Sequence, residues 1–236
     1  MDISYTEVLL RDENSIKDFK YFYSNIYIDC FPDEDERESM ENMLLYLKNA
    51  ETSENHNYHI ILAIDSKVGI IGGGVFAYVK TVNAGFIEYI AVNQNTQSGG
   101  VGTHIYNHIL EILSEDARKT GNTQVKYIFC EIDSPEHSKA AIKKYLHFWQ
   151  KYGYLRLDFK YLQPALSQSQ SPVTGLWLVV LQFSGIHNEI EGNVVLNVLS
   201  DYMKYAMLIS DPERNPEYVA MSNELRDRTI QLLDII

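Results

Sequence analysis

Cysteine is scarce in this chain: only Cys30 and Cys130 occur among its 236 residues. The two do not form a CxxC pair and no cluster of histidines accompanies them, so the pattern gives no support to a structural zinc site. Both lie between apolar neighbours, in YIDCF and YIFCEI. Such settings favour buried free thiols in a reducing compartment.

Long apolar runs are also lacking. No stretch approaches the ~20 consecutive apolar residues that a membrane span needs. The N-terminal segment MDISYTEVLLRDEN has neither the basic start nor the apolar core of a secretory signal. We therefore expect a soluble, cytoplasmic protein with no membrane partner.

Positive charge is in deficit, because 20 Lys and Arg residues against 32 Asp and Glu residues give a formal net charge of −12 at pH 7. This argues against nucleic acid as a partner, since affinity for a phosphate backbone comes mainly from cationic side chains. An acidic surface would tolerate a cationic substrate, although mild acidity also serves solubility alone.

The chain does contain a regular succession of apolar patterns. Helical spacing of apolar residues predicts helices within 12–27, 32–49, 101–120 and 135–153. The order of elements predicts an α+β (mixed α/β) fold, in which a central sheet of about seven strands is flanked by helices. The predicted strands are 4–10, 57–65, 67–80, 83–92, 124–133, 154–162 and 175–183.

An acidic run and a glycine run are each explained by local backbone geometry. The acids from Asp33 to Glu36 follow Pro32 and are interpreted as the first turn of a helix, where they suit the positive end of its dipole. The run from Gly72 to Gly74 lacks the GxGxxG spacing of a dinucleotide loop, and no helix start follows it. It predicts a bulge or kink within a strand.

The pattern changes after Ser184. Renewed helical periodicity predicts a main domain over 1–184 and a C-terminal helical appendage over 185–236. The apolar stripes of this appendage should pack either on their own chain or on a second copy in a homodimer. The first stripe consists of Ile190, Val194, Val198, Tyr202, Tyr205 and Ile209, and the second of Val219, Leu225, Leu232 and Ile236.

The stretch VNQNTQSGGVGTHIYNHILEIL joins the fourth predicted strand to a helix. A helix start exposes unpaired backbone N–H groups and the positive end of the helix dipole, so a phosphate fits there if the backbone can come close. Gly99, Gly100 and Gly102 remove the side chains that would obstruct that approach. With the hydroxyl of Thr103 nearby, the turn predicts a site for a phosphate or pyrophosphate.

The spacing of this turn is more specific than its glycine content. Residues 97–102 fit the pattern Q/R-x-x-G-x-G/A, which resembles the coenzyme A pyrophosphate loop of the GNAT superfamily of acetyl-CoA-dependent N-acetyltransferases. The segment FWQKYGY at 148–154 looks like the family's helix-to-strand junction FYEKLGF. CEID is similar to the strand end LEV that precedes that helix. The order of elements over about residues 1–184 also matches the family's.

The resemblance implies a binding site for acetyl-CoA, used as co-substrate. The strand EYIAV would splay from the strand KYIFCEI, and pantetheine would enter the wedge and pair with the backbone near Ile90 and Val92. Backbone N–H groups of the turn would hold the pyrophosphate, and an N–H of the splayed strand would face the acetyl carbonyl. The implied site comprises Ile90, Ala91, Val92, Gln97, Ser98, Gly99, Gly100, Val101, Gly102 and Thr103.

Two carboxylates are candidates for the general base that would deprotonate an amine. Glu131 matches the Glu of the family's strand end. Glu88 lies in a strand where the family often has an acid, and by the two-residue period it should share a face with Ile90 and Val92. Each could equally be a paired or solvated carboxylate at the end of a sheet.

The general acid is less well defined, because the family's tyrosine falls on Trp149, whose indole N–H cannot act as an acid at neutral pH. Tyr145, one helical turn earlier on the same face, is the candidate, and Tyr152 is an alternative. His104 and His108 have the i, i+4 spacing of a metal-binding pair. No third ligand is evident, so we interpret them as helix-surface residues and predict no metal.

The sequence thus supports two hypotheses. The first is an N-acetyltransferase that acts on a primary amine of a small molecule or peptide. The alternative is a non-catalytic, CoA-binding regulatory or interaction protein on the same fold. Trp149 favours the alternative, whereas Glu88 and Glu131 favour the enzyme.

Overall fold

A mixed sheet forms the centre of the molecule in the computed structural model, which describes residues 2–135, 142–183 and 188–236. Its strand order is β1-β2-β3-β4-β5-β7-β6-β9-β8, and every neighbouring pair is antiparallel except β4 and β5. The strands are β1 Ile3–Glu7, β2 His56–Asp65, β3 Gly69–Val79, β4 Ala84–Val92, β5 Tyr127–Asp133, β6 Leu155–Leu157, β7 Leu176–Gln182, β8 Glu189–Glu191 and β9 Thr229–Leu233. The α+β (mixed α/β) class predicted from the sequence is confirmed, with nine described strands in place of about seven.

Helices cover both faces of this sheet. They are α1 Glu13–Phe22, which continues through a π-helical turn Tyr23–Tyr27 into α2 Ile28–Cys30, then α3 Met40–Ala50, α4 Val101–Lys119, α5 Ile142–Lys151, α6 Gly192–Ala206 and α7 Pro216–Leu225. Side chains alternate along β2, so that Ile60 and Leu62 join one apolar cluster while Ile61 and Ala63 join another. The first cluster contains buried residues of α1, α3, α6 and α7, and the second contains buried residues of α4 and α5.

The acidic run ahead of α3 lies outside any helix, contrary to the sequence-based expectation. Helix α3 begins at Met40, and Ser39 is its N-cap, with a side-chain oxygen that accepts from the Asn42 N–H at 3.1 Å. Ser is a strong N-cap residue, so the helix start follows the cap rather than the proline. Asp33 instead accepts from the backbone N–H of Asp35 within the preceding loop.

The three consecutive glycines of β3 allow helices to approach the sheet closely. A Cβ atom at Gly72 would lie 2.6 Å from the carbonyl oxygen of Ala91 and 2.9 Å from Cδ1 of Ile105 on α4. A Cβ at Gly74 would lie 2.8 Å from Cδ1 of Ile109. A bulge also occurs beside them, because Ala63 pairs with Gly72 while Ile64 pairs with Ile70.

The C-terminal segment is not purely helical. After α7 the chain turns at Asp227, which has a positive φ of 55°, and then forms β9. There Ile230 and Leu232 are buried between exposed neighbours, which is the alternation of a strand. The prediction that Leu225 and Leu232 share one helical stripe is therefore wrong, since their spacing suits a helix but Leu232 lies in a strand.

Strand β9 extends the main sheet by pairing with β6, at Arg156 with Leu233 and at Leu157 with Leu232. Strand β8 then pairs with β9 at the sheet edge. Helix α6 packs on the face of the sheet that carries the first apolar cluster, where Val195, Val198 and Leu199 are fully buried. The domain boundary expected between residues 184 and 185 falls among 184–187, outside the described residues, and stays a prediction.

Strand β6 is shorter than predicted, because after Leu157 the chain leaves β7 and Asp158 donates its N–H to Gln231 of β9 at 3.0 Å. The helix start predicted at Pro135 involves residues 136–141, which lie outside the described part of the chain. Within the described residues no helix has both the length and the apolarity to cross a membrane.

Candidate active site

The two parallel central strands diverge halfway along their length. Strands β4 and β5 pair from Ala84 with Tyr127 to Ile87 with Cys130, and they have no described pairing beyond that point. Strand β4 nevertheless continues to Val92 and β5 to Asp133. A wedge therefore opens in the middle of the sheet, with Glu88 and Glu131 as the first residues past its closed end.

Strand β4 leads from this wedge into the glycine turn. A 3₁₀ turn over Gln94–Gly99 is followed by Gly100, whose φ of 77° lies in the left-handed region that glycine tolerates best, and then by α4. The first turn of α4 contains no acidic residue, and Gly100 offers no side-chain cap. The N–H groups at this helix start thus lack intrahelical partners and attract an anion.

The backbone at the start of α4 has open space beside its glycines. A Cβ at Gly102 would meet only Cγ2 of Val92, at 3.8 Å, and a Cβ at Gly100 would meet nothing within 4 Å. Packing of the protein therefore does not require glycine at position 102. Helix propensity does not favour it either, because glycine is a poor helix former. The open cradle fits a pyrophosphate, which needs close approach to the backbone. The backbone places Gln97 and Ser98 in the same turn, and their side chains lie outside the described part.

The remaining residues of the expected cofactor site lie on the open half of β4. Ile90, Ala91 and Val92 pair along one edge of the strand with β3. Ala91 is buried, whereas Ile90 and Val92 are partly buried. The carbonyl oxygen of Val92 accepts from the thiol of Cys30 at 3.5 Å, so this backbone group already has a protein partner. Cys30 and Cys130 are both free thiols, as the sequence predicts.

Glu131 lies at the closed end of the wedge and accepts hydrogen bonds on both carboxylate oxygens. Oε1 accepts from the hydroxyl of Tyr161, while Oε2 accepts from the hydroxyl of Tyr202 at 3.3 Å and from the amide of Gln163 at 3.4 Å. Burial raises the pKa of Glu131 to about 7, although the two tyrosine hydrogen bonds act in the opposite direction. A carboxyl group with a pKa near neutrality can both accept and release a proton under physiological conditions.

Glu88 occupies a bulge at the corresponding position of β4. Val75 of β3 pairs with Tyr89 while its neighbour Phe76 pairs with Ile87, so Glu88 has no opposite residue on β3. An extra residue in one strand shifts the alternation of the side chains that follow it. Oε2 of Glu88 accepts from a tyrosine hydroxyl on β2 at 3.0 Å.

The bulge overturns the expectation that Glu88 shares a face with Ile90 and Val92. The tyrosine that binds Glu88 is Tyr58, which belongs to the first apolar cluster, whereas Ile90 and Val92 pack against the second. Burial raises the pKa of Glu88 well above its ordinary value, and the nearby charges of Glu38 and Glu131 raise it further. Glu131 is therefore the better of the two candidate bases near neutral pH.

Trp149, at the family's tyrosine position, is part of the core. It is 3% exposed, and its ring packs edge to face with Tyr145 at 6.0 Å and with Tyr154 at 5.0 Å. Tyr145 is the more open of these residues at 39% exposure, yet desolvation of its phenol, with a contribution from Cys130, raises its pKa. Tyr152 packs against Tyr106 at 4.2 Å within the aromatic cluster.

A further buried carboxyl group, Glu38, lies near Glu88. Glu38 is 2% exposed and accepts from the hydroxyl of Tyr46 at 2.6 Å, from the amide of Asn42 at 2.8 Å and from the N–H of Ser39 at 2.7 Å. Burial raises the pKa of Glu38 as well. The surroundings of the wedge thus combine several carboxyl groups with tyrosine hydroxyls, and burial disfavours the charged forms of these carboxyl groups.

Sequence reasoning missed the tyrosines that serve the carboxylates, namely Tyr46, Tyr58, Tyr161 and Tyr202. The available signal is the high tyrosine count of 17, but tyrosine fills cores as often as it donates hydrogen bonds, so the count alone does not identify these residues. His104 and His108 carry no metal-site geometry: Nδ1 of His108 lies 3.0 Å from Glu111, and its ring stacks on Tyr5 at 4.0 Å. The described residues include no group of three or more His, Cys, Asp or Glu side chains that could hold a metal ion.

Comparison with known proteins agrees with this geometry. A family model described as the acetyltransferase (GNAT) family matches residues 20–154, more than half of the chain. No functionally curated protein matches the chain in sequence. A solved structure described as an acetyltransferase of the GNAT family, from Bacteroides thetaiotaomicron, superposes with a TM-score of 0.60 at 16% identity, covering 86% of this chain and 98% of its own.

Two further solved structures share the fold. Spermidine N-acetyltransferase from Vibrio cholerae, in complex with CoA and spermine, has a TM-score of 0.52 at 10% identity and covers 77% of this chain and 96% of its own. An acetyltransferase of the GNAT family from Staphylococcus aureus Mu50 has a TM-score of 0.51 at 13% identity and covers 77% of this chain and 99% of its own. At these identities the likeness shows the fold alone. Together with the family model, the splayed central strands and the glycine turn, it establishes that the chain belongs to the acetyltransferase (GNAT) family.

Proposed function

We propose that the chain is an N-acetyltransferase that uses acetyl-CoA to acetylate a primary amine of a small molecule or peptide. The observation that carries the proposal is the position of Glu131. This carboxyl group, with a pKa of about 7, stands at the closed end of the wedge between β4 and β5, and the glycine start of α4 stands beyond the open end of β4.

The protein's part in cofactor binding follows from the cradle at the start of α4. Backbone N–H groups from Ser98 to Thr103 would hold the pyrophosphate, and Gly100 and Gly102 leave room for it. The open half of β4, from Ile90 to Val92, would lie along the pantetheine. Acetyl-CoA, when bound, supplies an activated acetyl group as a thioester.

Glu131 would act as the general base. An amine near neutral pH is mostly protonated and becomes a nucleophile only after it loses a proton. Glu131 would accept that proton at Oε1 or Oε2, and the tyrosine hydroxyls would stabilise the carboxylate before transfer. A backbone N–H on the open half of β4 would stabilise negative charge as it develops on the acetyl carbonyl oxygen.

Tyr145 is the proposed partner of the departing thiolate. Its raised pKa makes it a weaker acid than a thiol, so its hydroxyl would stabilise the thiolate by donating a hydrogen bond, and water would supply the proton. One structural neighbour is a spermidine acetyltransferase in complex with spermine, and a cationic acceptor would favour ionisation of the wedge carboxyl groups, whose pKa values burial raises.

A second candidate function is a CoA-binding protein without turnover, and the burial of Trp149 in the family's tyrosine position favours it. The domain boundary at 184–185, the homodimer and the cytoplasmic location stay predictions of the sequence.

Binding and turnover can be tested separately. By calorimetry, Gly102→Trp should weaken CoA binding at least tenfold, roughly 1.4 kcal/mol, because the indole would fill the cradle. Arg118→Trp, at the exposed far end of α4, is the matched control and should bind normally. Equal affinity in all three proteins would contradict the proposed site.

Turnover is measured by release of free thiol from acetyl-CoA with a panel of primary amines. An enzyme releases thiol in an amine-dependent manner. Tight CoA binding with no amine-dependent release across the panel would support the non-catalytic alternative instead.

A further inference from the structure

Helix α6 of the C-terminal segment brings a side chain to the candidate base. The ring of Tyr202 stacks on Phe86 of β4 with centroids 4.0 Å apart and planes inclined by 18°. Its hydroxyl donates to Oε2 of Glu131 at 3.3 Å. Tyr202 lies beyond residue 154, where the match to the family model ends.

The position of this hydroxyl is fixed by several contacts of α6. Tyr205, one turn later, stacks on His56 of β2 at 3.9 Å, and its hydroxyl accepts from the amide of Asn55 at 3.1 Å. Asp201 accepts from the hydroxyl of Thr81 at 2.8 Å. Tyr202 itself belongs to the buried face of the helix, together with Val198 and Leu199, and so has little freedom to leave Glu131.

We propose that Tyr202 is a positioning residue for acetyl transfer, whose hydroxyl orients Oε2 of Glu131, so that the C-terminal segment forms part of the active site. The inference rests on the proposed function of Glu131 as the base. Tyr161 holds the other oxygen, and together the two hydroxyls fix the plane of the carboxylate. Each also stabilises the charged form against the burial that opposes it.

Other groups also influence the titration of Glu131, and the test must separate Tyr202 from them. Tyr161 and Gln163 contact the carboxylate directly, and the charge of Glu36 disfavours its ionisation. Groups coupled to Glu131 by charge are Cys130 on the same strand, Glu88 on β4 and Tyr145 on α5. All of them remain unchanged when only the hydroxyl of Tyr202 is removed.

The variant Tyr202→Phe keeps the ring on Phe86 and removes the hydroxyl. Tyr205→Phe is the matched control, because it lies on the same helix and its hydroxyl binds Asn55 instead of Glu131. The first readout is the titration of the Glu131 carboxyl by ¹³C NMR in the full chain without acetyl-CoA, with Glu131→Gln used to assign the signal. We expect the pKa of Glu131 to rise by about one to two units in Tyr202→Phe, as loss of one hydrogen bond to a charged group implies.

The second readout is the pH profile of kcat/KM for the acceptor amine. Its acidic limb should move to higher pH by the same amount in Tyr202→Phe and stay in place in Tyr205→Phe, while CoA affinity is unchanged in both. An unshifted Glu131 titration, or an equal shift in Tyr205→Phe, would overturn the inference about Tyr202. A shifted titration with an unmoved pH profile would instead overturn Glu131 as the base, and with it the catalytic role of Tyr202.

Discussion

At the scale of single residues, Glu131 and Glu88 stand at equivalent points on two diverging strands but have different hydrogen-bond donors. Glu131 accepts from Tyr161, Tyr202 and Gln163, whereas the described contacts of Glu88 include one donor, Tyr58, and leave its Oε1 without one. Donors favour the charged form of a carboxyl group. Glu131 is accordingly the more readily ionised of the two carboxyl groups near neutral pH.

The substitution Glu131→Gln should lower kcat by about 10²–10⁴-fold and remove the acidic limb near pH 7 from the pH profile. CoA affinity should be unchanged, because Glu131 lies away from the glycine turn. Steady-state kinetics and calorimetry on the same preparation measure the two effects. Glu88→Gln serves as the comparison and should have the smaller effect on kcat; a larger effect there would reverse the assignment of the base.

At the scale of elements, a substitution at Gly102 should affect the stability of α4 and the proposed binding of CoA in opposite directions. A Cβ at this position has room in the protein. Gly102→Ala should therefore raise the free energy of unfolding by up to about 1 kcal/mol through better helix propensity, and weaken CoA binding because the added methyl intrudes on the cradle. Denaturant unfolding and calorimetry test the pair of effects; unchanged CoA affinity would show that the cradle lies elsewhere.

Gly72→Ala, within β3, should have the opposite effect on stability to Gly102→Ala. Its Cβ would lie 2.6 Å from the carbonyl oxygen of Ala91, a backbone atom that cannot move aside easily. We expect a loss of about 1–3 kcal/mol in the free energy of unfolding from overpacking. Urea unfolding of the two alanine variants side by side should give opposite signs.

An ion-paired histidine joins three elements. Nδ1 of His59 on β2 lies 2.6 Å from Glu7 of β1, and Nε2 lies 2.8 Å from Asp116 of α4. Although burial acts to lower it, hydrogen bonds to the two carboxylates raise the pKa of His59 to about 9, from an ordinary 6.5. A folded-state pKa above the unfolded value gives stability that is fully present below pH 6.5 and is lost as pH rises through 9.

His59→Gln should therefore destabilise the fold most near pH 6, by an amount on the order of 3 kcal/mol. The difference from wild type should shrink as pH rises through 9. Urea unfolding at pH 6, 8 and 10 measures this trend. A difference that is constant over this range would show that the imidazolium charge contributes nothing.

At the scale of the whole molecule, the C-terminal segment is held by its apolar contacts with the sheet. Leu199 of α6 is fully buried, whereas Val219 of α7 is 41% exposed. Leu199→Ala should lower the free energy of unfolding by about 2–5 kcal/mol, and Val219→Ala should change it by less than about 0.5 kcal/mol. Thermal unfolding distinguishes the two; equal effects would contradict docking of α6 on its own chain.

The fold class could be predicted from local patterns. The glycine turn before a helix, the succession of elements along the chain through β7 and the candidacy of Glu131 follow from spacing and from the resemblance that the spacing supports. The face of the sheet on which Glu88 lies could not be predicted from the sequence, because the bulge depends on how β4 pairs with β3. Tyr202 and β9 were missed because their roles depend on where a distant segment docks, which the period of apolar residues does not encode.

The pairing of β6 with β9 also bears on how the protein reaches its native state. Residues 229–233 are synthesised after every other strand, yet they pair with residues 156 and 157. Such a contact between distant parts of the chain forms slowly, since a long loop must first close. A nascent chain that has emerged only through β7 would contain the glycine turn and Tyr161 but not Tyr202, so that Glu131 gains its second tyrosine hydrogen bond only after the C-terminal segment has docked.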